Sequence, residues 1–150
     1  MILLDEQADN GIKKRLAYRL VKKHIAGLTT DSAIRTALQF NGKGIHTTIT
    51  FLNENGKDQK KARYNINTYS HLIRQLSRFR INSDISVRPS QLGYPENIQI
   101  FEKGLKELSS LAQSYGMSVW LENEDHAYME TIYGLVSTSG NSAIGVSALG

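Results

Sequence analysis

The chain has 150 residues, of which 40% are hydrophobic and 21% charged, and this composition is typical of one folded domain rather than a disordered segment. Its net charge of +4 is only weak support for an anionic partner. The absence of cysteine excludes disulfides, thiolate nucleophiles and Cys-ligated zinc, and is consistent with a cytosolic protein. No apolar run approaches the roughly 18 residues of a transmembrane helix, and the N-terminus lacks the basic stretch of a signal peptide.

The first 44 residues predict a helical segment that precedes the main domain. Leu16 and Ile25 belong to an apolar pattern at helical spacing, and this first helix is expected to stop at Gly27. Thr29 then supplies N-cap chemistry for a second helix over residues 32–40.

From residue 45 onward, the sequence alternates between two kinds of pattern. Runs rich in β-branched residues predict strands over 45–52, 85–89, 117–122 and 143–149. Helical periodicity predicts helices over 57–79, 96–115 and 127–138. The predicted buried face of the helix over 96–115 consists of Ile98, Phe101, Leu105, Leu108 and Leu111. Such alternation indicates right-handed βαβ units and a parallel sheet.

The predicted fold class is α/β, specifically a partial (β/α)8, TIM-like barrel. Glu54, Arg88 and Glu122 follow three successive strands at equal spacing along the chain, which indicates a regular βα repeat. A whole barrel takes about 250 residues. We therefore expect about four βα units over 45–150, with residues 1–44 as an N-terminal helical extension. The alternative is a smaller open α/β sheet that needs no further strands.

Charged residues at the predicted strand ends are the candidate site, because ligands of parallel α/β proteins bind at that edge. Glu122 shares a strand face with Ser118 and Trp120, and its carboxylate can orient a cofactor or a cationic group, or simply be a solvated loop residue. Arg88 can clamp a carboxylate, or serve only as an ion-pair partner for Glu54 or Glu122. Glu54 is expected either at the surface or in the site.

Other common functional motifs are not found in the sequence. The four histidines lack metal-ligand spacing, and there is no Walker loop, G-x-G-x-x-G or G-x-S-x-G motif. The basic run 13–15 indicates the solvated face of a helix, with a nucleic-acid-binding module as the alternative. Glu124 and Asp125 are expected in a solvated loop that caps the next helix, or in the site beside Glu122.

Four segments in order resemble the proline dehydrogenase family, flavin enzymes built on a (β/α)8 barrel. The segment 26–29, A-G-L-T, is similar to the family's A-G-x-T, and the strand ending in L-N-E at 52–54 is similar to one ending in L-G-E. The segment 85–93, I-S-V-R-P-S-Q-L-G, resembles V-S-V-K-x-x-x-L-G. The segment 119–125, V-W-L-E-N-E-D, resembles V-R-L-D-M-E-D, and Tyr128 fits a tyrosine that follows it.

This resemblance implies roles for four residues. Arg88 corresponds to a lysine that holds the carboxylate of proline, and Glu122 to an active-site aspartate near the flavin. Asn123 corresponds to a methionine that contacts the flavin, and Glu54 to a glutamate that pairs with arginines from the far end of the barrel. The implied reaction is the oxidation of L-proline, or a similar cyclic imino acid, to 1-pyrroline-5-carboxylate by FAD in proline catabolism. Electrons would pass on to a membrane quinone, with the protein in the cytoplasm or at the membrane surface.

Two departures from the family bear on this expectation. Arginine replaces lysine at Arg88 and glutamate replaces aspartate at Glu122, so charge is kept while shape and reach change. The family's second half, with its basic flavin segment and its arginine pair, has no counterpart here, so we expect no FAD binding or turnover by this chain alone. The alternative to an enzyme is a half-barrel remnant or assembly partner that self-associates through open sheet edges.

Overall fold

A parallel β-sheet whose strands alternate with helices forms the core of the chain. The computed structural model describes residues 2–4, 25–27, 29–52, 56, 58–124 and 126–147. The strands are β1 (Ile2–Leu4), β2 (Ile25–Gly27), β3 (Thr47–Leu52), β4 (Ser83–Val87), β5 (Val119–Leu121) and β6 (Ile144–Val146). They lie in the order β2-β1-β3-β4-β5-β6. The helices are α1 (Thr30–Asn41), α2 (Gln59–Arg78), α3 (Ile98–Ser114) and α4 (His126–Ser139), with a short 3-10 helix, Pro89–Leu92, after β4.

The strands and helices predicted after residue 44 are confirmed, as is the helix predicted over 32–40. Strands β3, β5 and β6 are shorter than predicted, whereas β4 has the predicted length but begins at Ser83 rather than at Ile85. Pro89, predicted as the last strand residue, instead opens the 3-10 helix. Proline has no N–H for a strand ladder, and its fixed φ suits the first position of a helix.

Two predictions for single residues are wrong. Ile25, predicted in a helix, begins strand β2, because Ile25–Gly27 pairs with β1 and tertiary pairing overrides local helical spacing. Ile98, predicted on the buried face of its helix, is 46% exposed, because it lies in the first turn of α3, whose contact with the core begins at Ile100 and Phe101. The rest of the first predicted helix lies outside the described residues, and the division of the chain at residue 44 stays a prediction.

Side-chain caps explain where the helices begin. Thr29 accepts a hydrogen bond from the backbone N–H of Ser32, and the Ser32 hydroxyl lies 3.1 Å from the Thr29 nitrogen, which forms a reciprocal capping box for α1. The Asp58 side chain accepts from the backbone N–H of Lys61 at the start of α2, and the Asn97 side chain accepts from that of Ile100 at the start of α3, both without a reciprocal bond. Each cap satisfies an N–H that has no partner within its helix, which contributes about 1 kcal/mol.

The hydrophobic core lies between one face of the sheet and the helices. Alternate residues of β3, β4 and β5 are buried, and they pack against the apolar stripes of α2 and α3; the largest fully buried members include Ile49, Ile85, Leu121, Ile66, Leu72 and Phe101. Burying each such side chain contributes about 1.5–3 kcal/mol. Gly104 of α3 allows close approach to α2, because a Cβ there would lie 2.5 Å from Ile66 Cδ1.

The other face of the sheet, which we call the open face, carries the alternate side chains of β3 to β6. They include Asp84, Ser86 and Trp120, and Trp120 is 38% exposed. The Asp84 carboxylate accepts hydrogen bonds from Trp120 Nε1 at 3.0 Å and from the backbone N–H of Ser118 at 2.8 Å. The Trp120 ring lies over Gly145 of β6, since a Cβ there would lie 2.5 Å from the ring carbons.

Candidate functional site at the ends of strands β4 and β5

The residues that follow β4 and β5 lie side by side at the C-terminal edge of the sheet. Val87 and Leu121 are register partners, so Arg88 and Glu122 leave adjacent strands at the same level. The backbone N–H of Glu122 donates to Val87 O at 3.0 Å, which extends the ladder by one step. Arg88 and Glu122 therefore lie next to each other at this edge of the sheet, and their predicted roles stay predictions.

Glu122 is held by β4 as well as by its own strand. The Ser86 hydroxyl donates a 2.8 Å hydrogen bond to Glu122 Oε1, and both residues are partly buried. A hydrogen bond to a carboxylate is stronger than one between neutral groups. The side chain is therefore directed over the open face of the sheet instead of extending freely into solvent.

Glu124 contacts the segment that follows β4. Its carboxylate accepts hydrogen bonds from the backbone N–H of Ser90 at 2.8 Å and from the Ser90 hydroxyl at 2.7 Å. Its Oε1 also lies 3.9 Å from Arg88 Nε, a long ion pair. Its carboxylate is therefore bonded to the segment after β4, and its role in a site stays a prediction. We name Ser86, Arg88, Ser90, Glu122 and Glu124 the strand-end cluster.

A buried amide supports this cluster from below. Gln91 is fully buried; its Nε2 donates to Phe51 O at 2.9 Å, and its Oε1 accepts from the Tyr69 hydroxyl at 2.9 Å and the Arg88 N–H at 3.1 Å. Asn65 Nδ2 donates to the Gln91 carbonyl at 2.9 Å. Sequence reasoning missed Gln91. Its only signal was a polar residue directly before Leu92 within the segment 85–93.

Burial raises the pKa of Tyr69 to about 12, so its hydroxyl remains a neutral donor at physiological pH. The ring packs edge-on against Phe51, with centroids 4.9 Å apart. Tyr69 belongs to α2, Phe51 to β3 and Gln91 to the 3-10 helix, so three elements meet at this hydroxyl. Such a fully hydrogen-bonded polar group in the core specifies one arrangement of its neighbours.

A shallow groove of about 200 Å³ opens beside the strand-end cluster. Its lining includes Ser90, Glu124, Tyr94, Tyr128 and Glu96. The rings of Tyr94 and Tyr128 meet edge-on at 5.2 Å, which joins the loop after the 3-10 helix to α4. The groove therefore lies against the cluster on the helix side of the sheet, with carboxylates and aromatic rings in its walls.

Two of the predicted site residues add little to this geometry. Asn123 is partly exposed directly after Glu122. Glu54 lies outside the described residues, as does Asp125, so their predicted roles stay predictions. In the described part of the chain, no three histidine, aspartate or glutamate side chains are grouped so that they could bind a metal ion.

Comparison with known proteins agrees with the resemblance seen in the motifs. No protein-family model matches the chain. Proline dehydrogenase 1 of Bacillus subtilis strain 168 is 25% identical over 109 residues, which cover 73% of this chain and 36% of that enzyme. The enzyme of the same name from Bacillus subtilis subsp. natto is 24% identical over the same shares of the two chains. The chain is a distant homologue of proline dehydrogenase.

The fold agrees with this relationship. The crystal structure of proline utilization A from Bdellovibrio bacteriovorus inactivated by N-propargylglycine matches with a TM-score of 0.76 and 17% identity. The match covers 91% of this chain and 18% of that protein. The predicted α/β fold with parallel strands alternating with helices, matching part of a proline dehydrogenase barrel, is thereby confirmed. The chain spans only about a third of the length of the Bacillus enzymes.

Proline dehydrogenases are FAD-dependent, so we tested whether the strand-end cluster fits that cofactor. The cluster has one guanidinium, that of Arg88, against the carboxylates of Glu122 and Glu124. A dinucleotide diphosphate is an anion that requires cations or free backbone N–H groups. The Ser90 N–H is already bound by Glu124. The strand-end cluster therefore does not fit the diphosphate of FAD.

Within the described residues, no helix has both the length and the apolar character needed to cross a membrane.

Proposed function

We propose that this chain forms the part of a proline-dehydrogenase-like site that binds the carboxylate of L-proline or a similar cyclic imino acid. The observation that carries the proposal is the adjacency of Arg88 and Glu122 at the C-terminal ends of β4 and β5, in a chain homologous to proline dehydrogenase. Arginine can bind a carboxylate through two parallel N–H···O bonds. The negative charge of Glu122 suits the secondary ammonium of the same substrate.

Orientation of the bound substrate follows from these two charges. A zwitterionic imino acid with its carboxylate on Arg88 would place its ammonium toward Glu122, whose direction is set by Ser86. The Glu124 carboxylate, 3.9 Å from Arg88 Nε, limits the positions of the guanidinium. In proline dehydrogenases a flavin accepts the hydride. Since the strand-end cluster does not fit FAD, we expect this chain by itself to bind the substrate without oxidising it.

The test is a titration of the chain with L-proline, followed by calorimetry or by amide chemical shifts around Arg88 and Glu122. We expect Arg88→Ala to weaken binding at least about tenfold, because a charged hydrogen bond in a partly buried site contributes about 1.5–3 kcal/mol. Arg78→Ala is the matched control. Arg78 ends α2 and precedes β4, whereas Arg88 follows β4, so the affinity should stay unchanged. Equal affinities of the wild type and Arg88→Ala would refute the assignment.

The second candidate function is that of a non-enzymatic half-barrel which associates with another chain. The exposure of Leu52 (42%) and Trp120 (38%) on the open face favours it, because parallel sheets are normally covered on both faces. Analytical ultracentrifugation distinguishes the two readings. A stable dimer that excludes L-proline supports the assembly role, whereas a monomer that binds L-proline supports the substrate site.

A further inference from the structure

Strands β3 and β4 pair along only half of their length. The register joins Thr47–Ile49 to Ser83–Ile85, whereas Thr50–Leu52 pairs with β1 on the opposite side. The backbone of Phe51 is therefore bonded by side chains. Its N–H donates to the Tyr69 hydroxyl at 3.3 Å, and its carbonyl accepts from Gln91 Nε2 at 2.9 Å. Because buried backbone groups need partners, these two side chains replace the hydrogen bonds that a paired strand would make to Phe51.

Gln91 links Phe51, where β3 and β4 have separated, to the end of β4. Its Oε1 accepts from the backbone N–H of Arg88 at 3.1 Å, while its own backbone N–H donates to the Arg88 carbonyl at 2.9 Å. Both backbone polar groups of Arg88 are thus bonded to one residue. Through its Nε2, the same residue is bonded to β3.

We propose that Gln91 is the positioning residue that fixes Arg88 at the point where β3 and β4 separate. The side-chain amide of Gln91 donates to the Phe51 carbonyl and accepts from the Arg88 N–H. Tyr69 determines which end of the amide faces which strand. This follows because the hydroxyl donates to Oε1, so Nε2 must point to the Phe51 carbonyl. An aspartate at position 91 could not donate to the Phe51 carbonyl, and a leucine could neither donate to it nor accept from the Arg88 N–H.

Glu124 holds the same segment from the other side. It accepts from the Ser90 N–H and hydroxyl, so the two residues that follow the Arg88–Pro89 pair, Ser90 and Gln91, are both bonded to other elements. Gln91 bonds to β3 and α2, whereas Ser90 bonds to Glu124 in the segment after β5. Arg88 is therefore placed by contacts with three other parts of the chain.

The role in substrate binding rests on the proposed function, so the experiment has two separate readouts. Gln91→Met replaces the amide with an apolar side chain of similar length. Asn65→Leu is the matched control, because Asn65 is an equally buried amide that donates to the backbone carbonyl of Gln91, whereas the Gln91 side chain is what bonds the Arg88 N–H. The readouts are hydrogen exchange of the Arg88 amide, followed by NMR, and the dissociation constant for L-proline.

In Gln91→Met we expect exchange of the Arg88 amide to accelerate at least about tenfold, beyond any general change in stability shared with Asn65→Leu. Affinity for L-proline should fall about tenfold in Gln91→Met and less than about threefold in the control. Equal exchange of the Arg88 amide in the two variants would overturn the proposal. Should the wild type not bind L-proline, the proposed function fails and the exchange result alone decides the positioning role.

A milder variant covers the case in which Gln91→Met does not fold. Tyr69→Phe removes one hydroxyl and leaves Gln91 without the group that orients its amide. We expect several-fold faster exchange of the Arg88 amide at matched global stability. Unchanged protection of that amide in Tyr69→Phe would contradict the proposal.

Discussion

Ser86 and Glu122, which lie on neighbouring strands, are joined by a 2.8 Å hydrogen bond from the serine hydroxyl to Glu122 Oε1. Ser86 pairs in register with Trp120, two residues before Glu122 on the same face of the sheet. The carboxylate therefore reaches back along its strand to β4. This bond connects the residue that the family resemblance marks as catalytic to the strand that carries Arg88.

Removing the Ser86 hydroxyl should free the Glu122 carboxylate. We expect Ser86→Ala to lower the free energy of unfolding by about 1–2 kcal/mol, because a partly buried carboxylate loses its donor. Urea denaturation measures the change. Thr138→Ala is the control, since its hydroxyl bonds only within exposed α4 and should cost less than about 0.5 kcal/mol. Equal losses of unfolding free energy in the two variants would show that the Ser86 bond stabilises the fold no more than the exposed Thr138 bond does.

Shortening Glu122 tests whether its present length matters. In Glu122→Asp the carboxylate retreats by one methylene, so we expect the bond from Ser86 to lengthen and the stability to fall by about 1 kcal/mol. Affinity for L-proline should be kept or improved, since the family has aspartate at this position. The measurement pairs urea denaturation with a proline titration, and complete loss of binding would count against a shared site.

Tyr69 makes stability depend on alkaline pH. Its pKa is about 12 in the folded chain and about 10 when unfolded, so the stabilisation is fully present below pH 10 and is lost as pH rises toward 12. At pH 11 the wild type should have lost about 1.4 kcal/mol relative to its value at pH 8, whereas Tyr69→Phe loses none of this contribution. Urea denaturation of both proteins at the two pH values measures it. A constant difference between them would contradict the prediction.

The contact of Trp120 with Gly145 should not tolerate a methyl group. In Gly145→Ala the new Cβ would lie 2.5 Å from the rigid indole ring, so we expect a loss of about 1–3 kcal/mol. Since Trp120 is the single tryptophan, its fluorescence reports the displacement directly. Gly134→Ala in α4 meets nothing within 4 Å and should be neutral or stabilising by up to about 1 kcal/mol. An unshifted emission spectrum in Gly145→Ala would show that the ring is not held there.

Much of the fold could be predicted from local pattern. The change from period 2 to period 3.6 marks each strand and helix after residue 44. Since the C-terminal ends of parallel strands share one edge of the sheet, Arg88 and Glu122 could be assigned to one candidate site. The failures lie where pairing partners are distant in sequence. Ile25 lies in a strand because β1 is beside it, which no window around residue 25 reveals.

The sequence by itself therefore determined the alternation of strands and helices, the parallel sheet and the edge at which charged residues gather, because these follow from periods of a few residues. Only the tertiary structure decided which polar groups meet: Gln91 with Phe51 and Tyr69, Glu124 with Ser90, and Trp120 with Gly145. Hydrogen bonds and ring contacts of this kind require atoms within about 3–4 Å of each other. The distance between residues on different elements is set by how those elements pack, not by the local period that forms them.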